Sequence, residues 1–191
     1  MASRPNPFLT PEEYLDIERK AEFKSEYYHG EMFAMAGGSP RHAWIIANLI
    51  YELVRQLKGR PCRVYPSDLR LRVSPTGLYT YPDVMVVCGE PQYADDQKDT
   101  LLNPVVILEV LSDSTRDYDR GRKFQFYRTL PSLLEYLTVA QDAPHIEQWT
   151  RQEENRGLLS EFNDLSQSIQ LTSIDCVLSL AEVYDKVDWT G

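Results

Sequence analysis

The sequence predicts an α/β (α+β) fold: a mixed sheet flanked by helices, with a helix and a hairpin at the N-terminal end. Three observations carry this. Val84–Cys88 and Val105–Val110 are short apolar runs, as expected of central strands buried on both faces. From Trp44 to Leu57, apolar residues recur at helical spacing. The remaining stretches come in the order helix, hairpin, helix, strands, helix, strands. The 191 residues read as one domain over residues 1–191.

Each element has its own signal. Thr10-Pro11-Glu12-Glu13 is a capping box with proline at the first helical position, opening a helix to about Lys20. Ser25–His29 and Met32–Ala36 flank Gly30, which reads as a hairpin with a tight turn. Ser39 caps the second helix, whose stripe is Trp44, Ile45, Leu49, Leu53 and Leu57, widened by Ile50 and Val54; Gly59 and Pro61 stop it. Arg63–Tyr65 is a short strand, and Leu69–Val73 alternates strictly, with one wet face. Tyr81–Val87 starts polar and ends apolar, Pro91–Asn103 is a polar loop, and Pro104–Leu111 is apolar with a single carboxylate. A charged helix is expected from about Thr115 to Thr129, ended by Pro131. Glu135–Val139, Ile146–Arg151, Leu158–Phe162 and Ile169–Leu171 read as strands of a meander, and Ser179–Glu182 as a second capping box.

Composition narrows the class. The 42% hydrophobic and 26% charged fractions argue against disorder and against a membrane protein. No apolar run approaches the roughly 20 residues of a membrane helix, and no secretory leader is visible. Cys62, Cys88 and Cys176 lie far apart without zinc-ligand spacing and are expected as reduced, buried thiols. A cytoplasmic protein is expected. The net charge of −9 counts against a general nucleic-acid binder.

Two carboxylates stand out chemically. Glu109 interrupts an apolar strand, where an unpaired carboxylate would cost several kcal/mol. Taken alone it also reads as a strand-end carboxylate in water or one paired with an arginine. Asp83 follows Pro82 at the entry of the other apolar strand, a place where a chain can splay; taken alone it is a turn aspartate. Together they sit on two strands joined by a loop long enough to make them neighbours, and two converging carboxylates form a hard oxygen site suited to Mg²⁺. In the helix that follows, Lys123 and Tyr127 share a face. If that face meets the cleft, an ammonium stands beside the two acids; otherwise the helix is simply solvated and its charges pair locally. No P-loop, GxGxxG, GxSxG or Cys/His nucleophile arrangement occurs.

Tyr81-Pro82-Asp83, Ile107–Ser112, Ser114–Lys123 and Tyr127-Arg128 resemble the signature of a large bacterial family. Formerly a domain of unknown function, it is now described as restriction-endonuclease-like, within the PD-(D/E)xK nuclease superfamily. Tyr28–Glu31, Met35–His42 and Leu133–Tyr136 extend the resemblance to about Thr10–Val187. It implies a restriction-endonuclease-like mixed sheet and makes Asp83 and Glu109 the metal-binding acids. The superfamily's lysine stands two residues after the second acid, which here is Leu111; in this family it lies in the following helix, and Lys123 matches it. Glu31 and His42 match polar positions expected to support the site, with Tyr127 beside Lys123.

The implied reaction is Mg²⁺- or Mn²⁺-dependent hydrolysis of DNA phosphodiesters by Asp83, Glu109 and Lys123, with Arg116, Arg120, Arg122 and Arg128 as candidates for flanking phosphates. Cutting both strands favours a two-fold homodimer, which the sequence leaves open. The acidic surface predicts weak DNA binding without metal. Two rivals stand beside this reading. One is a catalytically inactive nuclease fold used for DNA binding or protein association; the other is a hydrolase of small phosphorylated molecules.

Overall fold

The computed structural model describes residues 8–112, 116–153 and 156–189. Its first helix, α1 (Pro11–Glu18), has the expected capping box: Thr10 Oγ1 accepts the Glu13 N–H, and Glu13 Oε2 accepts the Thr10 N–H. Strands β1 (Ser25–Tyr28) and β2 (Glu31–Ala34) form the hairpin. Its two-residue turn, His29-Gly30, has positive φ at both positions, the conformation that matches strand twist.

Helix α2 (Pro40–Leu57) starts at Ser39, whose Oγ accepts the His42 N–H. Ile45, Leu49, Leu53 and Leu57 are buried as expected. Trp44 and Val54 are not: they are 45% and 50% exposed. The apolar stripe is therefore narrower than its sequence, and Glu52, salt-bridged to Arg55, is buried instead.

Strands β3 (Cys62–Pro66), β4 (Arg70–Val73), β5 (Leu78–Thr80), β6 (Val84–Cys88), β7 (Thr100–Leu101) and β8 (Val106–Leu111) follow. The short β7 lies in the stretch expected as a polar loop and pairs parallel with β4. Then come α3 (Arg116–Tyr118), a π-helical turn over Asp119–Lys123 and α4 (Phe124–Tyr127). The expected helix is thus broken by one wide turn, and its expected start at Thr115 lies outside the described residues. Strands β9 (Glu135–Ala140), β10 (Ile146–Arg151) and β11 (Gly157–Phe162) form the meander. The strand expected at Ile169–Leu171 leaves that meander: among the described residues β12 (Ser168–Leu171) pairs only with β13 (Cys176–Ser179). Helix α5 (Leu180–Val183) follows Ser179, but without the hydrogen bond of the expected capping box.

The main sheet runs β11-β10-β9-β8-β6-β3, antiparallel except for parallel β8 and β9. A second sheet runs β2-β1-β5-β4-β7. Residue parity on β6 and β8 divides the core. Val84, Val86, Val106, Leu108 and Val110 pack with α2, while Met85, Val87 and Ile107 pack with Leu71, Leu78, Tyr127 and Tyr136 on the opposite face. Both apolar runs are buried on two faces, which is why they lack alternation.

The cysteine expectation is corrected in part. β3 pairs with β6 so that Cys62 lies directly opposite Cys88, and the two form a disulfide. Register brings together two cysteines 26 residues apart. Cys176 is a free, buried thiol, as expected. Among the described residues no helix is long and apolar enough to cross a membrane.

Candidate active site

Parity also aims the two acids. Val84 lies opposite Leu108 in the antiparallel β6–β8 pair, so Asp83 falls opposite Glu109, one step further on. Both are odd-numbered, like Met85 and Ile107, and so point to the face covered by Tyr127 rather than the face covered by α2. Pro82 lacks an N–H and helps end the ladder there. Each carboxylate then serves the other's strand: Asp83 Oδ2 accepts the Val110 N–H at 2.8 Å, and Glu109 Oε2 accepts the Asp83 N–H at 3.3 Å.

Lys123 completes the group. Its Nζ lies 2.9 Å from Glu109 Oε1, 3.3 Å from Glu26 Oε1 and 3.3 Å from Asp119 Oδ1. The π-helical turn ends on this lysine; such wide turns recur at functional sites. Burial disfavours the ammonium, but Glu109, Tyr127, Glu26 and Asp119 outweigh it and hold Lys123 well above the ordinary lysine range. Lys123 is therefore charged at neutral pH. Burial pushes the Glu109 carboxyl upward and the charges of Asp119 and Asp83 add to this, while the Lys123 ammonium pulls it down and favours the carboxylate. Tyr127 donates its O–H to Glu109 Oε1 at 2.7 Å.

His42 closes the other side, with Nε2 3.3 Å from Asp83 Oδ2. Burial disfavours its charge, but the hydrogen bond and charge of Asp83, then the Val110 carbonyl and Glu109, outweigh that and raise its pKa. Gly38 makes room for the ring, since a β-carbon there would sit 2.5 Å from His42 Nδ1. The resulting cleft, about 410 Å³, is lined by Glu26, His42, Asp83, Glu109, Asp119 and Lys123 among others.

Residues 11–181 match the family model Uma2, described as "Putative restriction endonuclease". The chain belongs to the Uma2 family. Two proteins of Synechocystis sp. are similar over nearly their whole length. Uncharacterized protein sll1609 is 37% identical over 86% of this chain and 93% of its own, and uncharacterized protein slr1290 is 36% identical over 95% and 94%. A crystal structure titled as a "putative nuclease belonging to DUF820", from Anabaena variabilis, superposes with a TM-score of 0.76 at 17% identity. It covers 92% of this chain and 97% of its own, and shows that the mixed sheet and its flanking helices are a nuclease-like fold.

Within this Uma2 fold the sequence-derived residues divide. Asp83, Glu109, Lys123, Tyr127 and His42 converge. Glu31 does not: it is exposed on β2 and lies outside the cleft lining. Glu26, on the partner strand, takes the place beside Lys123 and also accepts the Thr80 hydroxyl. No local pattern marks Glu26, because β1 meets Lys123 only through tertiary packing. Asp119, expected only to pair locally on a charged helix, also joins the site; its i,i+4 spacing to Lys123 is the signal that marks it.

The four arginines are also placed away from the cleft lining. Arg116 pairs with Asp142 at 2.7 Å, and Arg120 with Glu147 at 3.2 Å. The Arg122 guanidinium stands 4.9 Å over the Tyr28 ring. Arg128 lines a separate cavity of about 250 Å³ with Trp149, Arg151 and Arg156.

The donors facing the cleft suit a hard divalent cation. Among the described residues no three His, Cys, Asp or Glu side chains form a ready metal cage. Mg²⁺ does not require one; one or two carboxylates with waters and phosphate oxygens are its usual shell. Asp83 Oδ2 accepts the Val110 N–H and lies 3.3 Å from His42 Nε2, Glu109 Oε2 accepts the Asp83 N–H, and both side chains line the cleft. Asp83 and Glu109 therefore fit such an ion.

Proposed function

We propose that this chain is an Mg²⁺- or Mn²⁺-dependent endonuclease hydrolysing DNA phosphodiesters. The observation that carries the reading is the convergence of Asp83, Glu109 and a charged Lys123 in one open cleft. Family membership and the nuclease-like fold support it.

Asp83 and Glu109 would hold the ion, which when bound supplies a Lewis acid and a water of lowered pKa. Each protein group has a separate task. Lys123, charged and fixed by three carboxylates, is a poor base; its role is to stabilise negative charge building on the phosphate. Tyr127 orients Glu109 through its hydroxyl. His42, hydrogen-bonded to Asp83, orients that carboxylate.

The test is nicking of supercoiled plasmid with Mg²⁺ or Mn²⁺, by wild type and by Asp83→Ala and Glu109→Ala. Removing either acid is expected to lower the rate at least ~100-fold. Nicking that survives both substitutions overturns the assignment. One observation favours the inactive rival: Glu109 Oε1 is already engaged by Lys123 and Tyr127. Calorimetric titration with Mn²⁺ separates the two readings, since the rival predicts no heat that depends on Asp83.

A further inference from the structure

The cleft continues beyond His42. Ser39 and Gln141, whose side chains meet at 2.6 Å, line both it and a second, larger cavity of about 680 Å³. That volume lies in the roughly 300–1,000 Å³ range of small-ligand sites. Trp44, Arg41, Lys186, Val187 and Asp188 line it, and Lys186 Nζ lies 3.7 Å from Asp185 Oδ2. Although the stripe of α2 would bury Trp44, 45% of the residue stays exposed. Its indole N–H donates to the Asp185 carbonyl at 2.8 Å, which fixes the ring. The Asp142 carboxylate in the same lining is already answered by Arg116, at 2.7 Å.

An anchored, half-exposed indole in a cavity that Arg41 and Lys186 also line has a specific chemistry. Any base can stack on such a ring, and a neighbouring cation can meet its phosphate. Duplex DNA offers neither free base face, because its neighbours cover both. We propose that this cavity is a nucleotide subsite for single-stranded DNA: a base stacks on Trp44, its phosphate lies toward Arg41 and Lys186, and the adjoining phosphate enters the cleft of Asp83 and Glu109. The proposal rests on the nuclease reading of that cleft and extends it to a substrate class. The substrate is unpaired where it leaves the site.

The experiment is fluorescence anisotropy with labelled single-stranded and duplex oligodeoxynucleotides in Ca²⁺, using wild type, Trp44→Phe, Trp44→Ala and Lys186→Glu, alongside plasmid nicking. Trp44→Ala is expected to weaken single-strand binding roughly 10-fold, Trp44→Phe to retain most of it, and duplex binding to change little. Lys186→Glu, at a side chain 75% exposed, reports even if Trp44→Ala fails to fold, and is expected to weaken single-strand binding several-fold. Single-strand affinity unchanged in Trp44→Ala, or in Lys186→Glu where Trp44→Ala does not fold, overturns the subsite. Wild type that binds duplex as tightly as single strand also overturns it. Trp44-dependent single-strand binding without nicking of any DNA keeps the subsite and removes the catalytic reading. Nicking without Trp44 dependence does the reverse, and no binding of either DNA overturns the subsite.

Discussion

Lys123 and Glu109 form a buried ion pair at 2.9 Å, with side chains only 6% and 4% exposed. Such a pair is weak evidence of net stabilisation, because desolvating both charges offsets much of their attraction. Removing one member is a different matter, since it strands the other. Lys123→Met leaves Glu109, Glu26 and Asp119 together without their shared cation. It is expected to cost roughly 3–5 kcal/mol in urea unfolding. The double variant Lys123→Met/Glu109→Gln should recover part of that loss. A double variant no more stable than the single one refutes the pairing.

Gly38 governs His42. A β-carbon at that position would stand 2.5 Å from Nδ1 of a ring whose opposite nitrogen is held by Asp83. Gly38→Ala is therefore expected to turn His42 off Asp83. Nicking should slow between ~10- and 100-fold through misplacement alone, while thermal stability changes by about 1 kcal/mol or less. Unaltered nicking would show that the contact between His42 and Asp83 is not used.

Asp99 gives stability a pH dependence away from the cleft. Hydrogen bonding to Arg19 is the main reason its carboxyl is lowered to about 2; Thr100 and the charges of Arg70 and Arg19 add to this against burial. The folded value lies below the ordinary 3.8, so this stabilisation is present above about pH 4 and is lost as the pH falls toward 2. Asp99 is partly exposed, so solvent screening limits the effect to about 1 kcal/mol. Asp99→Asn should be less stable at pH 7 and flatter than wild type between pH 4 and pH 2 in chemical denaturation.

The Cys62–Cys88 bridge ties β3, at the edge of the main sheet, to β6, which carries Asp83 at its entry. Closing a loop of this length stabilises by about 3 kcal/mol in the chain-entropy view. Adding reductant, or substituting Cys88→Ser, should lower the denaturation midpoint accordingly. A midpoint indifferent to reductant would mean that the two thiols are unpaired in solution.

Much of the site was legible in the chain itself. Each apolar strand carried one carboxylate out of character with its neighbours, Asp83 at the entry of one and Glu109 within the other. Lys123 was visible through its spacing to Tyr127. Other parts had no local mark. Glu26 lies in a hairpin whose own pattern gives no reason to prefer it over Glu31, and only the docking of β1 beside the π-helical turn chooses between them. Trp44 fits the apolar stripe of α2 by spacing, yet its exposure depends on how the segment after α5 lies against that helix.

The sequence by itself determined most of the elements and their order, marked Asp83 and Glu109 as out of character with their strands, and put Lys123 and Tyr127 on one face. Those follow from periodicity, capping and turn chemistry, which act over a few residues. The tertiary structure alone decided which strands pair and in what register. It thereby joined Cys62 to Cys88, brought Glu26 and Lys123 together, and set the exposed Trp44 in a trough continuous with the cleft. These contacts link residues far apart in the chain, where the free energy of packing the whole core, and no local preference, selects the partner.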